Sequence, residues 1–93
     1  MRITPLIDSN NGVFKGGRVL LRPGEEIGEH ITEEREEVIV VLRGEATLLK
    51  EGKPILLRER DAYFIGNETA HNVRNNTREE AEYVYIVSQL NQN

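Results

Sequence analysis

The chain has 93 residues, 12 basic against 16 acidic side chains, a formal net charge of −4 and no cysteine. That length suits one domain over residues 1–93, with a modest core that buries only roughly 60–65% of the unfolded surface. The composition excludes disulfides and thiol catalysis, and the scattered cations form no basic stripe for nucleic acid. No apolar run reaches the ~20 residues of a membrane span, and the start lacks a signal-peptide pattern, so a cytoplasmic protein without membrane contact is expected.

In chain order the sequence reads as short strands between turn signals, without repeats, low-complexity tracts or long helical periodicity. Asn10-Asn11-Gly12 and Gly16-Gly17 break the N-terminal part, and a strand over 18–22 is stopped by Pro23-Gly24. Residues 37–43 (EVIVVLR) form the clearest strand, ended by Gly44. Strands over 46–50 and 54–58 flank Glu51-Gly52-Lys53, a hairpin turn with glycine supplying positive φ. Strands over 62–65, 70–74 and 82–88 follow, and Asn91-Gln92-Asn93 is expected to fray. The pattern predicts an all-β sandwich or barrel.

Side chains alternate faces along a strand. If Glu37 points inward, so do Ile39 and Val41, while Val38, Val40 and Leu42 point outward and are just as apolar. The same doubling recurs in Val19-Leu20-Leu21, Leu48-Leu49, Ile55-Leu56-Leu57 and residues 83–87. Strands apolar on both faces require cover on both. Without helices to supply it, a homodimer is the expected cover, the alternative being the N-terminal segment and loops.

The only histidines, His30 and His71, each sit in a spaced pattern. The first runs Gly24, five residues, His30, one residue, Thr32, four residues, Glu37, six residues, Gly44; the second spans 60–75 and ends His71, three residues, Asn75. Two imidazoles and one carboxylate between glycine turns suit an open-sided metal site. His30 and Thr32 share a face if the segment is a strand. A tight hairpin is expected to return Glu37 beside His30, with His71 arriving from a separate strand into a barrel interior. Alone, each histidine reads as a hydrogen-bonded strand residue, and Glu37 as one more member of the acidic run 33–37. Their shared register, and the place of Glu37 directly before VIVVL, favour the site. Glu33, Glu34 and Glu36 read as solvated, and Asn75 as a turn residue. Gly24, Gly44 and Gly66 are turn positions.

These spacings resemble the two motifs of the cupin superfamily, and the chain is similar to a small single-domain cupin. The family's first motif reads Gly, five residues, His, one residue, His, three or four residues, Glu, six residues, Gly. Gly24, His30, Glu37 and Gly44 fit it, and Thr32 stands in place of the second histidine. The second motif reads Gly, five residues, Pro, one residue, Gly, two residues, His, three residues, Asn. His71 and Asn75 fit, while Arg60, Gly66 and Glu68 stand where Gly, Pro and Gly are usual. The resemblance implies a jelly roll, or double-stranded β-helix barrel, with motif one over 24–44 and motif two over 60–75. It implies that His30, Glu37 and His71 ligate a divalent metal, for which two imidazoles and a carboxylate suit Fe, Mn, Ni or Zn. Thr32 either hydrogen-bonds a metal-bound water, leaves a coordination position open, or is a plain β-branched strand residue, as its type favours. Metal affinity is expected to fall as pH drops through roughly 6, where imidazoles protonate.

Nucleophilic catalysis and a glycine-rich phosphate loop have no support, since Ser9 and Ser88 lie outside the motifs. The aromatics Phe14, Tyr63, Phe64, Tyr83 and Tyr85 read as core or interface, with Tyr63 or Phe64 as candidates to line a pocket. Three functions follow from the resemblance. The chain is a metal-dependent enzyme of dioxygenase, isomerase or decarboxylase type acting on a small polar molecule, a non-catalytic small-molecule or metal-binding module, or a structural barrel with a decayed site.

Overall fold

A computed structural model of the chain describes residues 1–90; the tail expected to fray lies outside them. Nine strands are described: β1 (Arg2–Asp8), β2 (Phe14–Leu21), β3 (His30–Ile31), β4 (Arg35–Arg43), β5 (Ala46–Lys50), β6 (Lys53–Leu57), β7 (Ala62–Ile65), β8 (Ala70–Arg74) and β9 (Ala81–Gln89). They form a five-stranded sheet in the order β1-β2-β9-β4-β7 and a four-stranded sheet in the order β3-β8-β5-β6. All named pairings are antiparallel. Among the described residues no helix is long and apolar enough to cross a membrane.

The parity expected for β4 is observed. Glu37, Ile39 and Val41 are buried, Val38 and Leu42 are exposed and Val40 is half-buried. Ile39 and Val41 join Val19 and Leu21 of β2, Leu48 of β5, Leu57 of β6, Ile65 of β7, Val73 of β8 and Tyr83 of β9 in one core cluster. Both sheets therefore turn one apolar face inward, and hydrophobic burial closes them on each other as a jelly roll. Lys50 pairs with Lys53, so the β5–β6 turn is the two residues Glu51-Gly52, both with positive φ. That is the turn whose twist matches its flanking strands.

Three expectations are corrected. Gly16-Gly17 does not break the chain but continues β2, since a Cβ at Gly17 would lie 2.8 Å from the Tyr85 hydroxyl and 2.9 Å from the Thr4 carbonyl. The missing side chain is the space into which Tyr85 lies. The N-terminal β1 was not foreseen; it is an edge strand with a register shift between Pro5 and Ile7, a place where proline is tolerated. Finally, β3 and β4 form no hairpin pair. The link through 32–34 crosses between the sheets: β3 pairs with β8, while β4 pairs with β7 and β9. His30 and Glu37 thus meet across the barrel interior.

Candidate metal centre

His30 and His71 are directly opposed on β3 and β8, and their rings stack edge to face with centroids 4.1 Å apart. The segment entering β3 is tied down from β8. Asn72 accepts from the Gly28 amide (2.8 Å) and donates to Glu26 (3.0 Å), and the Ile27 amide donates to the Val73 carbonyl (3.0 Å). Glu37 reaches into the same space from the opposite sheet, and its Oε1 lies 3.1 Å from His71 Nε2. Ligand atoms of His30, Glu37 and His71 all fall within 4.8 Å of one another. His71 and Glu37 are buried and His30 is exposed at the mouth.

The hydrogen bonding around each ring suits a cation. Nδ1 of His30 donates to the Gly28 carbonyl and Nδ1 of His71 to the Thr69 carbonyl, each at 3.0 Å. A carbonyl accepts only, so each Nδ1 carries the proton and each Nε2 is left as the ligating nitrogen, the arrangement common behind metal-bound histidines. For His71 this sets a conflict. Its Nε2 faces the Glu37 carboxylate, so the ring lies between two acceptors, and only a second proton or a cation satisfies both. Burial works against the charged ring. The Glu37 hydrogen bond, the Thr69 carbonyl and the Glu37 charge together outweigh it and raise the His71 pKa above its ordinary 6.5. A divalent ion between Nε2 and the carboxylate would replace that second proton.

Thr32 is not spare ligand capacity. It is 3% exposed, its hydroxyl donates to the Gly66 carbonyl at 2.6 Å and accepts from the Thr69 amide at 3.1 Å, and Glu68 donates to its carbonyl at 2.7 Å. It pins the β7–β8 turn that delivers His71. Asn75 is a turn residue as expected: fully buried, it donates to the Leu21 and Glu79 carbonyls and accepts from Thr77.

A cavity of about 360 Å³ opens above the triad, lined among others by Val19, Arg35, Val73, Tyr83, Tyr85 and Val87. Tyr63 and Phe64 do not line it; Tyr63 packs against the core and Phe64 is exposed. Tyr83, Tyr85 and Arg35 were missed by the sequence reading, yet parity carried them. Tyr83 and Tyr85 alternate with outward Val84 and Ile86, and Arg35 sits two residues before Glu37. Burial, with the Glu37 and Tyr85 charges behind it, pushes ionisation of Tyr83 far above its ordinary 10.0, so its phenol stays a neutral donor.

The sequence model of the cupin domain matches residues 17–87, which include both motifs. The chain belongs to the cupin family. Solved cupins superpose on it. The cupin domain of Schizosaccharomyces pombe Cnp3 gives a TM-score of 0.86 at 13% identity, covering 94% of this chain, which spans 63% of that one. TT1209 from Thermus thermophilus gives 0.88 at 24% identity, with 96% and 83% covered. The cupin domain of an XRE-family transcriptional regulator from Enterobacter cloacae gives 0.85 at 20% identity, with 94% of each covered. At these identities the likeness is one of fold. Comparison with curated proteins finds no match by sequence. In this cupin two imidazoles and a carboxylate are gathered into one group compatible with a metal site.

Proposed function

We propose that this cupin is a metal-dependent protein acting on a small polar molecule, with His30, Glu37 and His71 holding one divalent ion, Fe, Mn, Ni or Zn, in the cavity. The supporting observation is the His71 ring, set between the Thr69 carbonyl and the Glu37 carboxylate so that Nε2 has no satisfactory partner but a proton or a cation. Three protein ligands leave coordination positions for a substrate, and the ion when bound supplies Lewis-acid polarisation of a ligand oxygen. Around it, Tyr83 keeps its phenol proton and can only hydrogen-bond a ligand, and Thr32 keeps the His71 turn in place. Dioxygenase, isomerase and decarboxylase chemistry all suit such a centre. Metal titration is the test. His71→Ala should abolish tight binding and Thr32→Ala should change it little; unaltered affinity in His71→Ala would sink the assignment.

A second reading, a non-catalytic ligand-binding module, draws on the cavity itself. Among the described residues Glu37 is the one carboxylate lining it and is already a ligand, and Tyr83 holds its proton too tightly for acid–base work. The similar fold of a regulator's cupin domain fits that reading. Turnover of a bound ligand separates the two.

We further propose that the protein is a homodimer through the outer face of the five-stranded sheet. An apolar row crosses all five strands in register, Phe64–Val38–Ile86–Gly16–Ile7, and Val40 and Val84 lie beside it. A two-fold contact uses one such patch twice and requires no second complementary surface.

A further inference from the structure

Among the described residues the cavity is lined by one formal cation that pairs with no carboxylate. Arg35 lies on β4 two residues from Glu37, hence on the same inward face and about 7 Å along the strand toward the mouth. It lines the cavity, in which it is the only lysine or arginine among the described residues. Its Nε donates to the Glu33 carbonyl at 3.2 Å, which orients the guanidinium and leaves both terminal amino groups without a protein partner among the described residues. Arg18, Arg43, Arg58 and Arg74 each pair with a glutamate; among the described residues Arg2, Arg22, Arg60 and Arg78 do not, but none of these lines this cavity. The one carboxylate lining the cavity among the described residues, Glu37, is already engaged by His71. The polar end of the cavity therefore asks for an anion, and the Tyr83 and Tyr85 hydroxyls line the same space. The remaining walls are aliphatic, among them Val19, Ile27, Val73 and Val87. A volume of about 360 Å³ sits at the lower end of ligand pockets.

We propose that this cavity takes a small organic monocarboxylate, whose charged end lies between the His30–Glu37–His71 group and the Arg35 guanidinium, and whose short branched or cyclic body fills the space beneath Val19, Val73 and Val87. The proposal builds on the metal-centre reading by naming the ligand class for the same cavity. Arg35 contributes a bidentate fork matched to a carboxylate. The valine walls favour an apolar body over a bare inorganic anion, which would leave them uncovered.

The test titrates isobutyrate, its near-isosteric neutral amide isobutyramide, and inorganic phosphate into the full chain, by calorimetry and by amide and methyl NMR shifts, with and without added Mn²⁺ or Zn²⁺. Isobutyrate should bind with shifts confined to residues lining the cavity, Arg35, His30, His71, Val19, Val73 and Val87 among them, and isobutyramide should bind at least about tenfold more weakly. Arg35→Gln should weaken isobutyrate by about tenfold to a hundredfold and leave isobutyramide unchanged. Arg35→Lys should recover part of the loss. Arg35 is exposed, so its variants should keep the fold, and their spectra verify this directly. Equal binding of acid and amide, wild-type affinity in Arg35→Gln, or phosphate binding more tightly than isobutyrate would each overturn the inference. The two readings fail separately. Arg35-dependent binding of isobutyrate without any metal uptake upholds the carboxylate and removes the metal. Metal uptake without isobutyrate binding does the reverse.

Discussion

Thr32→Val isolates a single hydroxyl at nearly constant volume. That hydroxyl donates to the Gly66 carbonyl at 2.6 Å and accepts from the Thr69 amide at 3.1 Å, so valine leaves both turn groups without that partner. Thr69 is buried and Gly66 half-buried, so water restores the carbonyl more readily than the amide. An orphaned buried group costs about 1–3 kcal/mol, which puts the substitution near 2–4 kcal/mol. For a domain of this size about 1 kcal/mol shifts Tm by roughly 4–8 °C, so Tm should fall by roughly 10–30 °C in a calorimetric scan at fixed protein concentration. Thr32→Ser keeps both hydrogen bonds and should lose much less. The folded fraction of Thr32→Val should still take up metal, since the hydroxyl holds the turn and not the ion. A Thr32→Val protein melting within about 3 °C of wild type, below the shift of a single kcal/mol, would refute the role assigned to this residue.

Two further outcomes follow from the geometry. The raised His71 pKa means that in metal-free protein the His71–Glu37 pair stabilises the fold fully below 6.5 and is lost as pH rises through the higher folded value. The metal-bound form runs oppositely, because the ion competes with that proton. The Tm gain from added Mn²⁺ or Zn²⁺ should therefore shrink as pH falls, beginning above the ordinary imidazole value of 6.5 rather than near the roughly 6 expected from the sequence. A gain that stays constant down to about pH 4 would count against imidazole ligation. At the outer sheet face, Val40→Asp should convert a dimer to a monomer in light scattering, since it sets an unpaired charge in the apolar contact at a cost of several kcal/mol. A wild-type chain already monomeric at micromolar concentration would remove the proposed interface.

Much of the fold was legible because alternation survives in β4 and β9, where one buried face sets the register. The strands over 46–50, 62–65 and 70–74 match their predicted bounds. What stayed hidden depended on partners distant in sequence. Gly16-Gly17 reads as a break until Tyr85 of the neighbouring strand is seen to occupy the missing side-chain space. RITPLID reads as irregular because an edge strand tolerates proline and a bulge. The short link between His30 and Glu37 reads as a hairpin, since length alone does not separate pairing within a sheet from a crossing between sheets. The convergence of His30, Glu37 and His71 was nonetheless foreseeable from spacing, whereas Arg35 was hidden inside an acidic run whose solvated appearance masks one inward cation.

Elemental analysis of the chain purified without chelator tests the metal centre most directly. Stoichiometric Fe, Mn, Ni or Zn, absent from His71→Ala prepared alongside it, is the predicted result. A correctly folded protein that is metal-free as isolated and takes up none of the four ions when they are supplied would contradict it.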